Sequence, residues 1–330
     1  MFRLFNRNSI GAFLLLPVLL VLLRLRLIIH PAEGFIAQTE ALYTPLWNGI
    51  FGQVEACSWV SILLSIVFTL YSAYMVMGIV NRYRFSERQS AISGMFFIVF
   101  TSGYVISQGL HPVHVFVMFM VTGIYRLFAG VEENNRPMRF CYEGAFMVSI
   151  GVLMWGKGLW FVPAFYIAMA MLRVFSLRSF LTATFGFLTP MLIASTWYFY
   201  NDQLIQVVET YWPTVTSRIE MCRTGMYTRT YLVLSAVFVA VGIVNALGEM
   251  PKLKIIESRY VRTVVWTIVV SLIFIFLPYF SLEMLNVVAV GGAVLVSAYM
   301  QRMRNERWQE IITVIFVVVT VFIQWKIKGT

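Results

Sequence analysis

Glu33 and Glu40 are the residues of this chain whose type and spacing best suit catalysis. They stand seven residues apart in a segment, 30–56, that contains no lysine or arginine. Seven residues make about two helical turns, so both carboxylates would share one face of a helix. A carboxylate placed in this way can act as a general base on a hydroxyl or hold a divalent cation. The alternative interpretation is a solvated amphipathic loop that Tyr43 and Trp47 anchor at lipid headgroups.

A second set of residues has side chains suited to binding phosphate. Its members are Arg24, Arg26, His30, His111, His114, Lys157, Arg218 and Arg223. Lys157 stands between two glycines, which would let a ligand approach the backbone, and its ammonium group would bind phosphate as a point charge. Arg218 and Arg223 have guanidinium groups that can hold phosphate through two parallel hydrogen bonds.

Each of these basic residues also has a purely structural interpretation. Lys157 can be a lysine at the tip of a tight turn, and Arg218 and Arg223 can pair with nearby glutamates at the surface. Arg24 and Arg26 could hold a lipid phosphate or pair with Glu33. Their structural interpretation is that they extend along their helix to the outer lipid headgroups. Because these two arginines are two residues apart on a helix, they cannot both face one point.

The histidines His30, His111 and His114 raise the question of a metal. His111 and His114 lie three residues apart around Pro112, a spacing that suits one helix face, and a glutamate could complete the ligand set. No compact metal-binding motif joins these residues. The sequence therefore predicts no cofactor, with a divalent metal as the open alternative.

Apolar helices must position all of these side chains. The chain is 60% hydrophobic and only 12% charged, whereas soluble domains are about 25% charged. Its net charge of +10 comes from basic residues in loops between apolar runs. Such residues attract anionic lipid headgroups, and no nucleic-acid-binding motif accompanies them. The expected partner is the lipid bilayer and not nucleic acid.

Long apolar runs predict transmembrane helices, since roughly 20 apolar residues cross about 30 Å of hydrocarbon. The predicted spans are approximately 9–29, 57–80, 91–108, 112–130, 143–156, 158–174, 179–200, 230–248, 263–280, 284–301 and 309–325. The expected fold is an all-α, polytopic transmembrane helix bundle of about eleven spans. Residues 1–330 would form a single integral membrane domain.

The segment 143–174 is the weakest part of this assignment. Its two apolar halves are short, and Gly156-Lys157-Gly158 interrupts them. A single crossing there would move the later basic loops to the other side of the membrane. The segment is therefore predicted to enter and leave on the same face, either as two short crossings or as a re-entrant hairpin. Re-entrant backbone is tolerated where it is buried in protein or lines a cavity.

The basic residues alternate with the apolar runs and indicate an orientation. Their clusters are Arg3/Arg7, Arg82/Arg84/Arg88, Arg126/Arg136/Arg139, Arg173/Arg178, Lys252/Lys254/Arg259/Arg262 and Arg302/Arg304/Arg307. By the positive-inside rule these loops and the N-terminus lie in the cytoplasm, which predicts a multi-pass protein of the bacterial inner membrane. The longer loops, 30–56 and 200–229, are then outside, and the candidate site residues share that face.

Two stretches resemble a family of uncharacterised bacterial inner-membrane proteins of about this length. They are LRVFSLRSFLTATFGFLTP (Leu172–Pro190) and AYMQRMRNERWQEII (Ala298–Ile312). In layout the resemblance covers most of the chain. It implies a membrane fold and no particular activity.

The layout is also similar to that of multi-span glycosyltransferases that use polyprenyl-phosphate sugars. Those enzymes follow a first helix with an outer loop that carries catalytic acids. Here that loop holds Glu33 and Glu40, and the short paired segment and the WYFYND run extend the likeness. The adjacent acidic pair common in that family is absent. The resemblance implies Glu33 or Glu40 as the catalytic acid and Arg218, Lys157 or His111 on the lipid phosphate.

The sequence thus predicts a glycosyltransferase-like protein that handles a polyprenyl-phosphate-linked sugar or a lipid phosphate at the outer leaflet. The alternative is a non-catalytic membrane subunit or scaffold of a cell-envelope assembly or transport complex, which would have a membrane-protein partner. No compact catalytic motif in the chain decides between an enzyme and a subunit.

Overall fold

The structure is a computed structural model and describes residues 5, 10–29, 43–54, 59–86, 89–103, 108–133, 137–216, 226–273, 281–303 and 305–326. Over these residues the chain is helical and has no strand, which confirms the all-α class. The α-helices are α1 (Ile10–Leu23), α2 (Leu25–Ile29), α3 (Pro45–Phe51), α4 (Trp59–Arg82), α5 (Ile92–Ser102), α6 (Pro112–Glu132), α7 (Pro137–Met154), α8 (Val162–Met171), α9 (Leu177–Tyr200), α10 (Leu204–Thr216), α11 (Met226–Glu249), α12 (Ile255–Ile273), α13 (Leu285–Arg302) and α14 (Glu306–Lys326). Short 3-10 helices occupy Gly156–Phe161, Met250–Lys252 and Leu282–Met284.

Six helical segments within the described ranges are long and apolar enough to cross a membrane. They are Trp59–Arg82, Pro112–Glu132, Leu177–Tyr200, Met226–Lys252, Leu282–Arg302 and Glu306–Trp325. The predicted number of about eleven spans is not confirmed. Helices α1, α5 and α8 have 14, 11 and 10 residues, and ten helical residues are only about 15 Å long, half the hydrocarbon thickness.

Helices α5 and α13 form the centre of the bundle. Every residue of α5 is buried, and α13 is buried along almost its whole length. A helix that is apolar on all sides is enclosed by other helices in this way. The outer helices α9, α11 and α14 instead expose apolar side chains, for example Leu192, Val233 and Phe322. Apolar side chains on the outside of a helical bundle suit contact with lipid.

The segment 137–171 forms an unequal pair of helices. α7 has 18 residues and α8 has 10, and the 3-10 helix Gly156–Phe161 joins them at the predicted interruption. α7 packs against α6 and α9. Its Gly144 approaches α6 so closely that a Cβ atom there would lie 2.9 Å from the carbonyl oxygen of Gly123. Small residues at such a contact let two helix backbones come together.

Side-chain contacts gather many of the basic residues at one end of the bundle. Nη2 of Arg82 lies 3.0 Å from Oε2 of Glu132, and the ring of Tyr83 lies 4.9 Å from that of Tyr260. We call this the arginine end, and it includes Arg82, Arg126, Arg139, Lys252, Arg259 and Arg302. This grouping agrees with the alternation of basic loops in the sequence.

Candidate functional site

His111 and Glu283 form a buried pair at the other end of α6. His111 caps this helix, because its Nδ1 accepts a hydrogen bond from the backbone N–H of Val113 at 3.2 Å. Its Nε2 lies 3.1 Å from Oε1 of Glu283, and the two side chains are only 2% and 8% exposed. Since Nδ1 accepts a hydrogen bond, Nε2 carries the proton and donates to the carboxylate.

Glu283 is a candidate that the sequence analysis missed. It lies in the 3-10 helix that precedes α13, and the hydroxyl of Ser281 is 3.5 Å from its Oε2. Its backbone carbonyl accepts a hydrogen bond from Nδ2 of Asn286 at 3.1 Å. The signal in the sequence is a lone acidic residue in a short turn between two apolar runs. A carboxylate buried there needs a hydrogen-bonding or charged partner.

Lys157 brings a second ionic group to the same place. Its side chain is 4% exposed, and its Nζ has no hydrogen-bond partner among the residues that the structure describes. Burial lowers the pKa of Lys157, and the nearby carboxylate of Glu283 opposes that shift. Lys157 thus lies in a tight turn, as its structural interpretation expected, and its side chain is buried there.

The glycines beside Lys157 are required for packing. A Cβ atom on Gly156 would lie 2.3 Å from Oγ1 of Thr214 in α10, and one on Gly158 would lie 2.6 Å from the ring of Phe116 in α6. Real side chains cannot approach so closely without displacing their neighbours. Contacts with α6 and α10 thus fix the turn that carries Lys157. That these glycines also let a ligand approach the backbone stays a prediction.

Tyr43 connects this place to the segment that carries the predicted catalytic residues. Its ring centroid lies 6.0 Å from that of His111. Burial and, secondarily, the charge of Glu283 raise the pKa of the Tyr43 hydroxyl to about 12. Tyr43 follows directly on residues 30–42 in the chain. The candidates His30, Glu33 and Glu40 belong to those residues and lie outside the described part of the chain.

Arg24 is fully buried where α1 and α2 meet. Its guanidinium group donates to the hydroxyl of Ser65 and, at 2.7 Å, to that of Thr69, both in α4. The alternative in which Arg24 extends to the lipid headgroups is therefore wrong, because α4 supplies hydroxyl acceptors inside the bundle. Arg26 is half-buried.

Ser65 links Arg24 to the loop that precedes α6. Its hydroxyl lies 2.9 Å from the carbonyl oxygen of Gln108 and 3.1 Å from that of Gly109. The same Gly109 carbonyl is 3.1 Å from Nε2 of His114, which stands in the first turn of α6. Polar contacts therefore run from Arg24 to the start of α6. We call Tyr43, His111, His114, Lys157 and Glu283 the histidine cluster.

Exposed aromatic rings mark the end of the bundle where the histidine cluster lies. Exposed side chains at the end of α9 and on α10 include Trp197, Phe199, Tyr200 and Trp212. The indole N–H of Trp160, in the turn of Lys157, donates to the carbonyl of Val215 in α10 at 3.2 Å. Aromatic side chains in such positions are typical of the membrane–water interface. The candidates Arg218 and Arg223 follow α10 and lie outside the described residues.

The ionic side chains of the histidine cluster, among the described residues, are Lys157 and Glu283, which carry opposite charges. Arg24 is connected to the cluster only through Ser65 and the carbonyl of Gly109. No group of three or more His, Cys, Asp or Glu side chains in the described ranges could hold a metal ion.

Fold and site together define an all-helical protein with helices long enough to cross a membrane and a buried ionic cluster at one end. Comparison of the chain with family models, with curated proteins and with solved structures gives no match. Function must therefore be inferred from the geometry of the histidine cluster.

Proposed function

We propose that this chain is a multi-pass protein of a bacterial inner membrane, with its N-terminus in the cytoplasm, that binds the phosphate of a polyprenyl-phosphate-linked sugar at the outer leaflet. Its activity would be glycosyltransferase-like. The observation that carries this proposal is the buried ammonium group of Lys157, whose Nζ has no hydrogen-bond partner among the described residues.

A buried ammonium group is unfavourable unless an anion compensates its charge. Glu283 acts on Lys157 electrostatically, but its Oε1 already faces the N–H of His111. No described acceptor therefore pairs with the donors of Lys157. A phosphate group offers several oxygen acceptors and the negative charge that this position favours.

The position of Lys157 fits a ligand that arrives through lipid. The exposed aromatic rings of α9 and α10 support a location close to the membrane interface. A polyprenyl chain would remain in the hydrocarbon while its phosphate lay at the level of Lys157. The segments 30–42 and 217–225, which carry the predicted carboxylates and arginines, adjoin the described residues Tyr43 and Thr216 at this end.

The proposed reaction transfers a sugar from the lipid phosphate to a hydroxyl acceptor. The acceptor oxygen forms a bond to the anomeric carbon, and the bond from that carbon to the phosphate oxygen breaks. The electron pair leaves with polyprenyl phosphate, which Lys157 would stabilise electrostatically. The proton of the acceptor hydroxyl would pass to Glu33 or Glu40 as general base.

Binding of polyprenyl phosphate to the full chain in nanodiscs tests the phosphate site. We expect Lys157→Met to weaken binding at least about tenfold, because one charge-assisted contact inside a protein contributes roughly 1.5–3 kcal/mol. Lys157→Arg should retain part of the affinity. Lys252→Met removes an exposed lysine at the arginine end and serves as the control. Equal binding by Lys157→Met and wild type would refute the phosphate site.

The catalytic part of the proposal has a separate test. The expected result is that Glu33→Gln, Glu40→Gln or the double variant alters the envelope glycans of the host cell. If all of these variants leave the glycan profile and growth unchanged, glycosyl transfer is wrong. A partner recovered in stoichiometric amount from mild detergent would then support the non-catalytic subunit.

A further inference from the structure

Helix α10 has three faces with different surroundings, and the first of them is packed on the protein. The hydroxyl of Tyr211 donates to the carbonyl of Val152 in α7 at 3.0 Å, and Thr214 and Val215 are buried. These three residues of α10 follow at intervals of three and one, so they lie on the same side of the helix. This face attaches α10 to the rest of the bundle.

The second face of α10 is apolar and exposed. It consists of Ile205, Val208 and Trp212, which are 76%, 61% and 64% exposed. Their spacing of three and four residues places them in one stripe along the helix. A contiguous row of large apolar side chains on a surface marks contact with a partner or with a membrane. We call these three residues the apolar stripe.

The third face of α10 is polar. It exposes Gln206, Glu209 and Thr210, which share a side of the helix because they are three and four residues apart. Both the apolar stripe and the polar face run along the helix axis. A helix that passes from lipid into water changes character along its length, whereas one that lies in the boundary changes around its circumference. α10 has the second pattern.

The length of α10 and the turn before it agree with a position in the boundary. α10 has 13 residues, which make about 20 Å and are too short to cross about 30 Å of hydrocarbon. The backbone N–H of Gln203 donates to the carbonyl of Tyr198 at 2.9 Å, and Asp202 has a left-handed φ of 54°. This is a Schellman motif, which ends α9. α10 is therefore a separate helix and does not continue the span.

Lipid is the partner whose chemistry fits the apolar stripe. The stripe follows an exposed apolar surface at the end of α9, which includes Trp197 and Phe199, and α9 is long and apolar enough to cross a membrane. A stable protein partner needs roughly 20–30 residues on each side, and the stripe offers three. Tryptophan is, in addition, a residue typical of the membrane–water interface.

We infer that α10 lies in the plane of the membrane surface, with Ile205, Val208 and Trp212 in contact with lipid acyl chains just below the headgroups. Its polar face is turned to water. The turn of Lys157 then lies close to the headgroups, because the indole N–H of Trp160 in that turn donates to a carbonyl of α10. The inference holds for either orientation of the chain in the membrane and does not depend on phosphate binding or glycosyl transfer.

Fluorescence quenching of a nitrobenzoxadiazole label on single cysteines measures the lipid contact. The full chain, with its three native cysteines replaced by serine, is reconstituted in phosphatidylcholine vesicles. Labels on the apolar stripe should lose most of their emission with lipids that carry a nitroxide high on the acyl chain, and little with aqueous iodide. Labels on the polar face should show the reverse. The stripe variants are Ile205→Cys, Val208→Cys and Trp212→Cys, and the polar variants are Gln206→Cys and Thr210→Cys.

The two ends of the apolar stripe test the orientation of the helix. Ile205 and Trp212 are seven residues apart, which is about 10 Å along the helix axis. Labels at the two positions should nevertheless lie at the same depth, as measured with nitroxides high and low on the acyl chain. Val237→Cys, an exposed position near the middle of the α11 span, is the control for deep lipid contact. Lys252→Cys is exposed at the arginine end and is the control for water.

The inference is overturned if the labels on the apolar stripe are as accessible to iodide as the label at Lys252. It is also overturned if they are shielded from both iodide and nitroxide lipids, because protein would then cover the stripe. Depths at Ile205 and Trp212 that differ by about 10 Å would mean that α10 stands along the membrane normal, and they would contradict the in-plane orientation. Three stripe positions are labelled separately, so the test survives if one variant fails to fold.

Discussion

Nε2 of His111 lies 3.1 Å from Oε1 of Glu283, although 172 residues of sequence separate the two side chains in the bundle. His111 begins α6, and Glu283 stands in the turn before α13. The contact therefore ties the loop that Arg24 reaches through Ser65 to the central helix of the bundle. Lys157 adds a third element to the same place, the turn between α7 and α8.

Replacing either His111 or Glu283 alone should destabilise the fold by more than half of the loss that results from replacing both. His111→Phe or Glu283→Leu alone leaves a buried polar group without its partner, so each should lower the free energy of unfolding by about 3 kcal/mol. The double variant should lose clearly less than the sum of the two. Unfolding followed by circular dichroism in detergent measures all four proteins. Strict additivity of the two losses would contradict a direct interaction.

Lys157 should make both the free energy of unfolding and the binding of phosphate depend on pH. Burial lowers its pKa, so between that lowered pKa and the ordinary lysine value of about 10.4 the unfolded chain binds more protons than the folded one. The free energy of unfolding should therefore rise with pH across this window, and phosphate binding should fall as the amine loses its proton. Lys157→Met should abolish both trends, and equal pH profiles for the variant and wild type would refute this assignment.

The apolar runs and their interruptions predict much of the fold. The break at Gly156-Lys157-Gly158 and the start of α6 at Pro112 agree closely with the sequence, because both depend on local backbone chemistry. The number of spans does not follow in the same way. Hydropathy records that a run is apolar, whereas tertiary packing decides whether a helix such as α8 continues beyond ten residues.

The site could be predicted only in part for a related reason. His111, His114 and Lys157 stand out by type, and the alternation of charges assigns them to one end. The contacts of His111 with Glu283 and of Arg24 with Ser65 depend on which helices pack against each other. The periodicity of the sequence does not predict these neighbours. His30, Glu33, Glu40, Arg218 and Arg223 lie outside the described residues and stay predictions.

The orientation of the bundle can be measured by cysteine labelling. Asn201 follows α9 near the exposed aromatic rings, and Lys252 lies at the arginine end. In a background with the native cysteines replaced by serine, Asn201→Cys should react with an impermeant maleimide on intact cells. Lys252→Cys should react only after the membrane is opened. The reverse pattern would place the arginine end outside and overturn the proposed topology.

The contact between α6 and α7 should tolerate no added methyl group. A Cβ atom on Gly123 would lie 2.7 Å from the carbonyl oxygen of Gly144. Because this oxygen belongs to the backbone of α7, it cannot move away independently of its helix. Gly123→Ala and Gly144→Ala should each lower the free energy of unfolding by about 1–3 kcal/mol. Gly248→Ala, at an open helical position, should leave it unchanged or raise it by up to about 1 kcal/mol. Similar effects at all three glycines would show that close packing is not the cause.

The hydroxyl of Ser65 should matter because it is shared between Arg24 and the loop before α6. It accepts from the Arg24 guanidinium group and donates to the carbonyls of Gln108 and Gly109. Ser65→Ala should therefore lower the free energy of unfolding by about 2 kcal/mol, as expected for a buried hydrogen bond to a charged group.

Ser72 provides the control for this prediction. It is also buried on α4, but among the described residues its hydroxyl bonds only the carbonyl of Phe68 one turn earlier. Since such a local hydrogen bond does little to stabilise a helix, Ser72→Ala should cost clearly less stability than Ser65→Ala. An Arg24→Leu background has no guanidinium group that needs Ser65 as an acceptor. The loss of stability caused by Ser65→Ala should therefore be smaller in that background. Detergent unfolding of these variants measures the coupling. An undiminished loss in that background would mean that Ser65 acts on the loop alone and that Arg24 does not hold the start of α6.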